Sequence, residues 1–512
     1  MFERRSMPPA LTQSPALTRR GIIVLSAVCL ADLMFGLEIS SIPSILPTLG
    51  QVLHADFKQL QWVMNAYTVA VTTVLMATGT LADRYGRKRL FMISVAAFGL
   101  SSLVCGLAAQ APVLIAARFV QGMSGGAMLT SQIAVLSEEF RDGRERAVAW
   151  GWWGVALGIG LGFGPIVGGA IVALANWHWA FLIHAAGAVL VLGLAVRGVH
   201  ESKAPHPGRL DLAGILTLSA AVFCLALYIT QGADLGFANP ANLVILGLSL
   251  AAFVAFLVVE TLSADPMFDF SVFRIGAFSG AIMGSMAMNT SYWPFMIYLP
   301  IWFHFGLGYD NITAGCALLA YTLPTLVMPP LAERLMLRYR SGVIIPAGLV
   351  LIGLGFLVMR LATTAAHPTW LTMLPGCVLS GIGLGVTNTP VTNTTTSSVP
   401  SHRAGMASGI DTSARMILLA INIALMGFIL ASGVRASLSR LLPGADAATL
   451  HTLAESLAAG TRGAALHLSD GAVHQALATG FAWTMLYGCV AVWGLAALSF
   501  VMARTGGVRH DR

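Results

Sequence analysis

Three ionisable side chains lie inside long apolar runs of the sequence. Asp32 and Glu38 stand in the first run, and Arg118 stands in the fourth. A charge at the centre of a membrane-spanning helix costs about 2.5–3.5 kcal/mol on the insertion scale, so it needs a role. Burial favours the neutral acid and a nearby guanidinium favours the carboxylate, which lets a buried acid exchange a proton. We expect Glu38 or Asp32 to carry a proton, with Arg118 tuning it; a static ion pair is the alternative.

The spacing of the two acids separates them. Six residues are about 600° of helix rotation, so Asp32 and Glu38 point to roughly opposite faces and are not expected to share a site. Counted from the helix ends, Glu38 and Arg118 fall at comparable depths. Asp411 and Arg415 are four residues apart, which predicts a local ion pair on one helix.

A second set of residues carries aromatic rings or amides that suit the wall of a cavity for lipophilic or cationic molecules. An interfacial belt is the alternative for the aromatic residues, and Trp302 fits that alternative by its position. The set comprises Asn289, Tyr292, Trp293, Tyr298 and Trp302 in one run and Asn388 in the segment VTNTPVTNTTTSSVP at 386–400.

The run GVALGIGLGFGPIVGGAI at 154–171 is rich in glycine. Glycines at 154, 158 and 162 recur every four residues, as do Gly160, Gly164 and Gly168, and this predicts two faces for close helix packing. Gly169 follows, and Pro165 is expected to bend the helix. Plain packing explains the pattern, and so does a hinge or seal between two halves.

The composition identifies the elements that position these residues. Of 512 residues, 56% are hydrophobic and 10% are charged, far below the roughly 25% of a soluble domain. This excludes a soluble enzyme, a disordered scaffold and a secreted disulfide module. The net charge of +7 does not indicate a nucleic-acid partner, because the cations are not clustered with aromatics on one face. Apolar runs of about twenty residues predict an all-α integral membrane protein with fourteen transmembrane helices. The predicted spans are 21–49, 60–82, 89–109, 112–136, 146–173, 177–197, 211–231, 241–262, 277–303, 313–332, 343–362, 371–391, 405–433 and 479–503.

The cations sort by side of the membrane. With the N-terminus inside, the inner segments hold 22 of the 29 Lys and Arg residues, the outer segments hold four, and three lie within spans. The positive-inside rule then predicts that both termini are cytoplasmic. The expected location is the cell inner (plasma) membrane.

Two similar segments indicate an internal repeat. GTLADRYGRKRLF at 79–91 and PLAERLMLRYRSG at 330–342 both follow the second helix of a six-helix block, and Leu337 is taken to stand where the first copy has Asp83. Two related blocks with a site between them are typical of a transporter. Asp83 is expected to bind an opposing helix N-terminus or an arginine and so latch the inner side. The predicted division is a tail at 1–20, a six-helix bundle at 21–197, two inserted helices at 198–262, a second bundle at 263–503 with a long outer loop at 434–478, and a tail at 504–512.

These motifs together resemble the major facilitator superfamily, specifically its fourteen-helix drug:proton antiporter family. The segment 79–91 is similar to a gating-loop signature, 114–127 to a fourth-helix motif and 160–169 to an antiporter motif. QWVMNAY at 61–67 and NWHWAFLI at 176–183 also resemble the family. The matching residues are Gly79, Leu81, Asp83, Arg84, Gly86, Arg87 and Lys88 in the gating loop, Arg118, Gln121 and Gly122 in the fourth helix, and Trp62 and Tyr67 in 61–67.

The resemblance implies a proton-coupled exporter of small lipophilic organic molecules that works by alternating access and contributes to multidrug resistance. Gln121, Trp62 and Tyr67 then join the cavity set, together with Arg415. The implied partners are the small molecule, protons and the lipid bilayer, and a periplasmic adaptor is compatible with this reading. No metal, no cofactor and no enzymatic activity is expected, and the proton gradient is the expected energy source.

The sequence also departs from the family pattern. Glu38 stands where an aspartate is usual, and His178 and His184 replace the usual arginine and asparagine. These departures fit a dedicated exporter of one metabolite, such as a siderophore, equally well. An uptake symporter on the same fold is disfavoured by the segment at 160–169. A membrane-embedded enzyme or sensor would need clustered His, Cys or acidic residues, which the sequence does not offer.

Overall fold

The chain folds into a bundle of long helices in a computed structural model. The structure describes residues 17–55, 57–141, 143–203, 211–263, 270–309, 311–363, 365, 368–400, 403–458, 460 and 468–505. The first eight helices are α1 (Arg19–Val52), α2 (Phe57–Tyr85), α3 (Arg87–Gly106), α4 (Ala111–Glu139), α5 (Gly143–Leu174), α6 (Trp179–Gly198), α7 (Leu212–Leu235) and α8 (Pro240–Leu262). A 3₁₀ turn (Phe270–Arg274) then precedes α9 (Gly276–Thr290), α10 (Tyr292–Ile301) with a π turn (Trp302–Gly306), α11 (Asn311–Thr322), α12 (Pro324–Met336), α13 (Ser341–Thr363), α14 (Trp370–Ser397), α15 (Ala404–Leu441), α16 (Ala447–Ala458) and α17 (Asp470–Thr505).

Short polar residues and prolines set several helix ends. Thr18 and Asp211 accept hydrogen bonds from backbone N–H groups three residues on, as N-cap residues do. α9 ends at Thr290, and Pro294 follows four residues later, where its ring would clash with the Thr290 carbonyl in a continuous helix. The predicted span 277–303 is therefore two helices, α9 and α10, with a break at Ser291.

Fourteen crossings remain a prediction that the structure is compatible with. Among the described residues, twelve helical segments are long and apolar enough to cross a membrane, and one of them, Thr313–Met336, consists of α11 and α12 together. α2 has only a shorter apolar stretch, Trp62–Leu75, and α9 and α10 are each too short alone. The helix α2, and α9 together with α10, are the two predicted crossings that separate the count of twelve from the predicted fourteen.

Two connections differ from the expected loops. The segment at 79–91 is almost entirely helical, because only Gly86 separates α2 from α3. Gly86 has a φ of +117°, which favours glycine. The segment at 434–478 contains the end of α15, all of α16 and the start of α17, so it is largely helical rather than an open loop. The apolar residues Leu450, Leu453 and Leu457 of α16 are buried.

The helices form two packed groups with separate cores. Residues of α1–α6 form the cores of the first group, and residues of α9–α17 form the core of the second. α7 and α8 pack on each other, and α7 also lies against α2 and α15. We call the end of the bundle where α1 begins and α17 ends the terminal end. Across the two groups, α5 packs on α12 and α2 packs on α15.

Candidate functional site

Glu38 and Arg118 form a buried ion pair within the first group. Arg118 Nη1 donates to Glu38 Oε1, and both side chains are at most 1% exposed. Arg118 also donates to the Val63 carbonyl at 3.0 Å and to Gln121 Oε1 at 2.7 Å. On the other side of the carboxylate, His184 Nε2 lies 3.1 Å from Glu38 Oε2. The expected pairing of Glu38 with Arg118 is therefore present, and His184 joins it as a third member.

A second layer of side chains holds Arg118 in place. The Tyr67 ring lies 4.3 Å below the guanidinium carbon, and Gln121 donates to Ser102 at 2.8 Å. A buried ion pair needs further partners to offset its desolvation, and these residues supply them. Tyr67 and Gln121, which the resemblance assigns to the substrate cavity, are both at most 2% exposed in this conformation. Trp62, one helix turn and a half before Tyr67 on α2, is half-buried.

Asp32 occupies a separate site, as its spacing from Glu38 predicts. It is fully buried, and Gln132 Nε2 of α4 donates to its Oδ1 at 2.8 Å. The other carboxyl oxygen, Oδ2, and Gln132 Oε1 have no hydrogen-bond partner in the described part of the chain.

The terminal end of the bundle is closed by direct contact between α2 and α15. An added Cβ on Gly79 would lie 2.2 Å from the Gly405 carbonyl oxygen, so only glycine permits this approach. Asp83 Oδ2 accepts from the backbone N–H of Met406 at 3.1 Å, in the first turn of α15. Asp83 Oδ1 accepts from Arg87 Nε at 3.0 Å. Both expected partners of Asp83, an opposing helix N-terminus and an arginine, are therefore present.

The remaining gating-loop residues anchor the neighbouring helix ends. Arg87 also bridges to Glu138 at 2.7 Å, and Lys88 Nζ donates to the Val196 carbonyl at 3.1 Å. The guanidinium of Arg84 lies 5.6 Å from the centre of the neighbouring Tyr85 ring.

A second contact across the halves joins α5 to α12 and α14. Arg146 donates to the side-chain oxygen of Asn393 and, at 3.0 Å, to Thr396. Asn393 in turn donates to Glu333 Oε2 at 2.6 Å. Glu333 lies in the repeated segment 330–342. The register that set Leu337 against Asp83 is therefore corrected: Leu-Ala-Glu-Arg at 331–334 corresponds to Leu-Ala-Asp-Arg at 81–84, and Glu333 corresponds to Asp83.

The glycines of α5 present two packing faces. Gly160 meets α1, where its Cβ would lie 2.8 Å from the Leu33 carbonyl oxygen. The other face meets the second group, where the Cβ of Gly158 would lie 2.8 Å from Leu326 of α12. One face therefore packs within a half and the other across the halves. On the face toward the second group, Gly154 meets Pro329 of α12 and Gly162 meets Thr322 at the end of α11, and Gly164 shares the α1 face. Gly168 is buried and Gly169 has open space around it. The helix α5 continues unbroken through Pro165.

The second group holds its own buried ion pair. Asp411 and Arg415 lie 3.1 Å apart at their closest atoms, which confirms the expected pair. Asp411 also accepts from Ser285 and, at 3.1 Å, from Thr392, while Arg415 donates to Asn388.

The aromatic and amide residues expected in the cavity wall lie in two kinds of environment, the packed core and a small space between the halves. Tyr292 is 1% exposed and stacks on Tyr321 at 4.1 Å, with each hydroxyl donating to the other residue's carbonyl. It is thus part of the core rather than of a cavity wall. Trp302 is fully buried against Phe481, so it does not belong to an interfacial belt. Two of the expected residues, Trp293 and Asn388, line a small space between the halves beside Gly154 and Gly158 of α5. Asn289 is buried and donates to the Ser285 carbonyl, and Tyr298 donates to the Ile423 carbonyl.

The sequence model of the Major Facilitator Superfamily matches residues 28–423. The chain belongs to this superfamily. Among its relatives, the multidrug resistance protein Stp of Mycobacterium tuberculosis is 31% identical over 86% of this chain and 82% of its own length. The tetracenomycin C resistance and export protein of Streptomyces glaucescens is 27% identical over 84% of this chain and 80% of its own length. Among solved structures, the human organic anion transporter MFSD10 (TETRAN) has a TM-score of 0.61 at 14% identity, covering 96% of this chain and all of that one, which shows a shared fold.

Several residues of the site are identified only in the structure. His184 and Gln132 are polar residues in apolar runs, and that signal was available in the sequence although their partners were not. Arg146, Asn393 and Glu333 come together only through tertiary packing across the halves. Among the described residues, no three His, Cys, Asp or Glu side chains are grouped so as to hold a metal ion.

Proposed function

We propose that the chain is a proton-coupled exporter that moves small lipophilic organic molecules out of the cytoplasm by alternating access. The terminal end is the cytoplasmic end, as the distribution of cations favours. The conformation described above is then the one closed toward the cytoplasm. The observation that carries the proposal is the fully buried Glu38–Arg118–His184 cluster in a chain whose two halves touch through glycines and a carboxylate at one end.

Glu38 is the coupling acid in this proposal. As a carboxylate it is held by Arg118 on one oxygen and lies beside His184 on the other. Protonation of Glu38 removes its charge, weakens its attraction to Arg118 and leaves the guanidinium with the Val63 carbonyl and Gln121. Because Gln121 and Tyr67 lie on α4 and α2, this change is transmitted to the helices that carry the terminal contact. A proton gradient of one pH unit supplies about 1.4 kcal/mol per coupled proton.

The first test is transport in everted membrane vesicles from a host lacking its own exporters, energised by a respiratory substrate and followed with a pH dye. Addition of ethidium or another lipophilic cation is expected to collapse the pH gradient in proportion to the amount of protein. Glu38→Gln should fold and abolish this response. The matched control is Glu455→Gln on α16, because that carboxylate is exposed and its ion-pair partner within the described part of the chain is His451 of the same helix. A full response in Glu38→Gln vesicles would refute the proton role.

A second candidate is dedicated export of one natural product. It is favoured by the relative named for export of tetracenomycin C and by His184 at the coupling cluster. In the same vesicles, a response to tetracenomycin C or to a siderophore without any response to lipophilic cations would support it. His184→Asn, which installs the residue usual in the family, then reports whether the histidine narrows the range of molecules accepted.

A further inference from the structure

Asp32 is a buried acid with no cation. It is fully buried in α1, and it takes part in none of the ion pairs that the described residues form. An isolated carboxylate away from water is so costly that the group usually becomes neutral instead. Arg118, the cation on the adjacent helix α4, is already held by Glu38 about 9 Å further along α1.

The contact between Asp32 and Gln132 fits a neutral acid better than a carboxylate. Gln132 Nε2 donates to Asp32 Oδ1 at 2.8 Å. The two remaining polar atoms, Asp32 Oδ2 and Gln132 Oε1, are both buried and both without a partner. If Asp32 is ionised, both are acceptors and each loses its hydrogen bonds on burial. If Asp32 carries a proton on Oδ2, that proton can be donated to Oε1, and a cyclic acid–amide pair satisfies both atoms.

We propose that Asp32 and Gln132 form a neutral carboxylic acid–amide pair, which is a second proton site in this chain, separate from Glu38. The proton sits on Asp32 Oδ2 and leaves to water, so that Asp32 becomes a carboxylate and Gln132 Oε1 loses the hydrogen bond that it accepts, while no other covalent bond changes. The pair rests on the geometry of α1 and α4; its use in the transport cycle rests on the proposed function.

Among the residues that the structure describes, no ion pair brings a substitute charge to the Asp32–Gln132 pair. On α1 itself, Cys29 stands one turn earlier, and it is a thiol. The cluster of Glu38, Arg118, His184, Tyr67 and Cys105 lies further along, on α1, α4, α6, α2 and α3. On α5, Gly160 packs against α1, and Arg146 donates to Asn393. Loss of the proton would therefore leave a buried carboxylate, so release requires α1 and α4 to separate or water to enter.

Infrared spectroscopy tests the protonation directly. The full chain is purified, placed in lipid nanodiscs and compared at neutral pH with Asp32→Asn and Glu38→Gln. We expect a carbonyl band of a protonated side-chain acid that is lost in Asp32→Asn and kept in Glu38→Gln. Asp32→Asn preserves an amide–amide pair with Gln132, so folding should be unchanged. A wild-type spectrum that is identical to that of Asp32→Asn overturns the proposal.

A second variant, Gln132→Leu, tests the proposal even if Asp32→Asn does not fold. Gln132→Leu removes the amide, so the acid band should move to higher frequency as its hydrogen bond is lost. An unmoved band means that the acid is not paired with Gln132 and also overturns the proposal. The readout is independent of transport. A band that behaves as expected in a chain whose Glu38→Gln variant still collapses the pH gradient would keep this inference and refute the role that the proposed function gives to Glu38.

Discussion

The contact between Gly79 and Gly405 makes a sharp prediction about which conformation the chain prefers. In Gly79→Ala the new Cβ would stand 2.2 Å from the Gly405 carbonyl oxygen, whereas ordinary contact begins at 3.4 Å. The two helices must separate by about 1.2 Å, which would stretch the 3.1 Å bond from Met406 to Asp83 beyond hydrogen-bonding distance. Overpacking of this kind costs about 1–3 kcal/mol. The population closed at the terminal end should therefore fall by about 5- to 150-fold relative to the open one.

Two spin labels across the terminal end report this change. Arg144 at the start of α5 and Arg338 after α12 are exposed and belong to different halves, so each is replaced by cysteine in a chain without its six native cysteines. Gly79→Ala should lengthen the distance between the labels and slow transport. Gly193→Ala is the matched control, because a Cβ there meets nothing within 4 Å. Unchanged distances and unchanged transport in Gly79→Ala would refute the assignment of this contact as the closed end.

Two further predictions concern charged contacts. Asp83→Asn and Glu333→Gln should each shift the equilibrium toward the conformation open at the terminal end by about 1–3 kcal/mol, measured with the same spin labels. The two shifts should add, because the two contacts share no partner. A double variant no more open than either single variant would contradict this. Arg415→Met should lower the Tm in detergent strongly, by the equivalent of about 3–5 kcal/mol, because it leaves the Asp411 carboxylate buried without a cation. Adding Asp411→Asn should recover most of that loss, and a double variant as unstable as Arg415→Met would show that the charge is not the cause.

Much of the site follows from spacing along single helices. The fixed rotation per residue separates Asp32 from Glu38 and joins Asp411 to Arg415, and both results hold in the structure. The glycine period of α5 likewise predicts two faces. Spacing does not tell which partner each face meets, because this depends on the arrangement of the helices. The α12 face and the α1 face of α5 became distinguishable only in the folded chain.

The environment of the aromatic residues, in contrast, could not be predicted from the sequence. In an apolar membrane helix, a ring that faces lipid and a ring that faces the core have the same sequence environment, since both surroundings are apolar. The sequence therefore predicts a cavity wall for Tyr292, and a cavity wall or an interfacial belt for Trp302, whereas both are core residues in the structure. His184 was visible as a departure from the family pattern, but its position beside Glu38 requires α6 to pack against α1.

The two halves close the terminal end with related but unequal contacts. The repeat relates Asp83 to Glu333, and each acid stands near the end of the second helix of its block. Asp83 reaches the backbone of α15 directly, whereas Glu333 acts through Asn393, which also accepts from Arg146. The first contact therefore depends on close backbone approach through glycine, and the second depends on three side chains that can rearrange. Both contacts are also connected to α4, the helix that carries Arg118 and Gln132. Arg87 joins Asp83 to Glu138 of α4, and Arg146 donates to the Phe140 carbonyl at the C-cap of α4 at 3.0 Å. A change of charge at either buried acid of α1 can therefore reach the α2–α15 contact through α4, and the α5–α12 contact through the direct packing of α1 on α5.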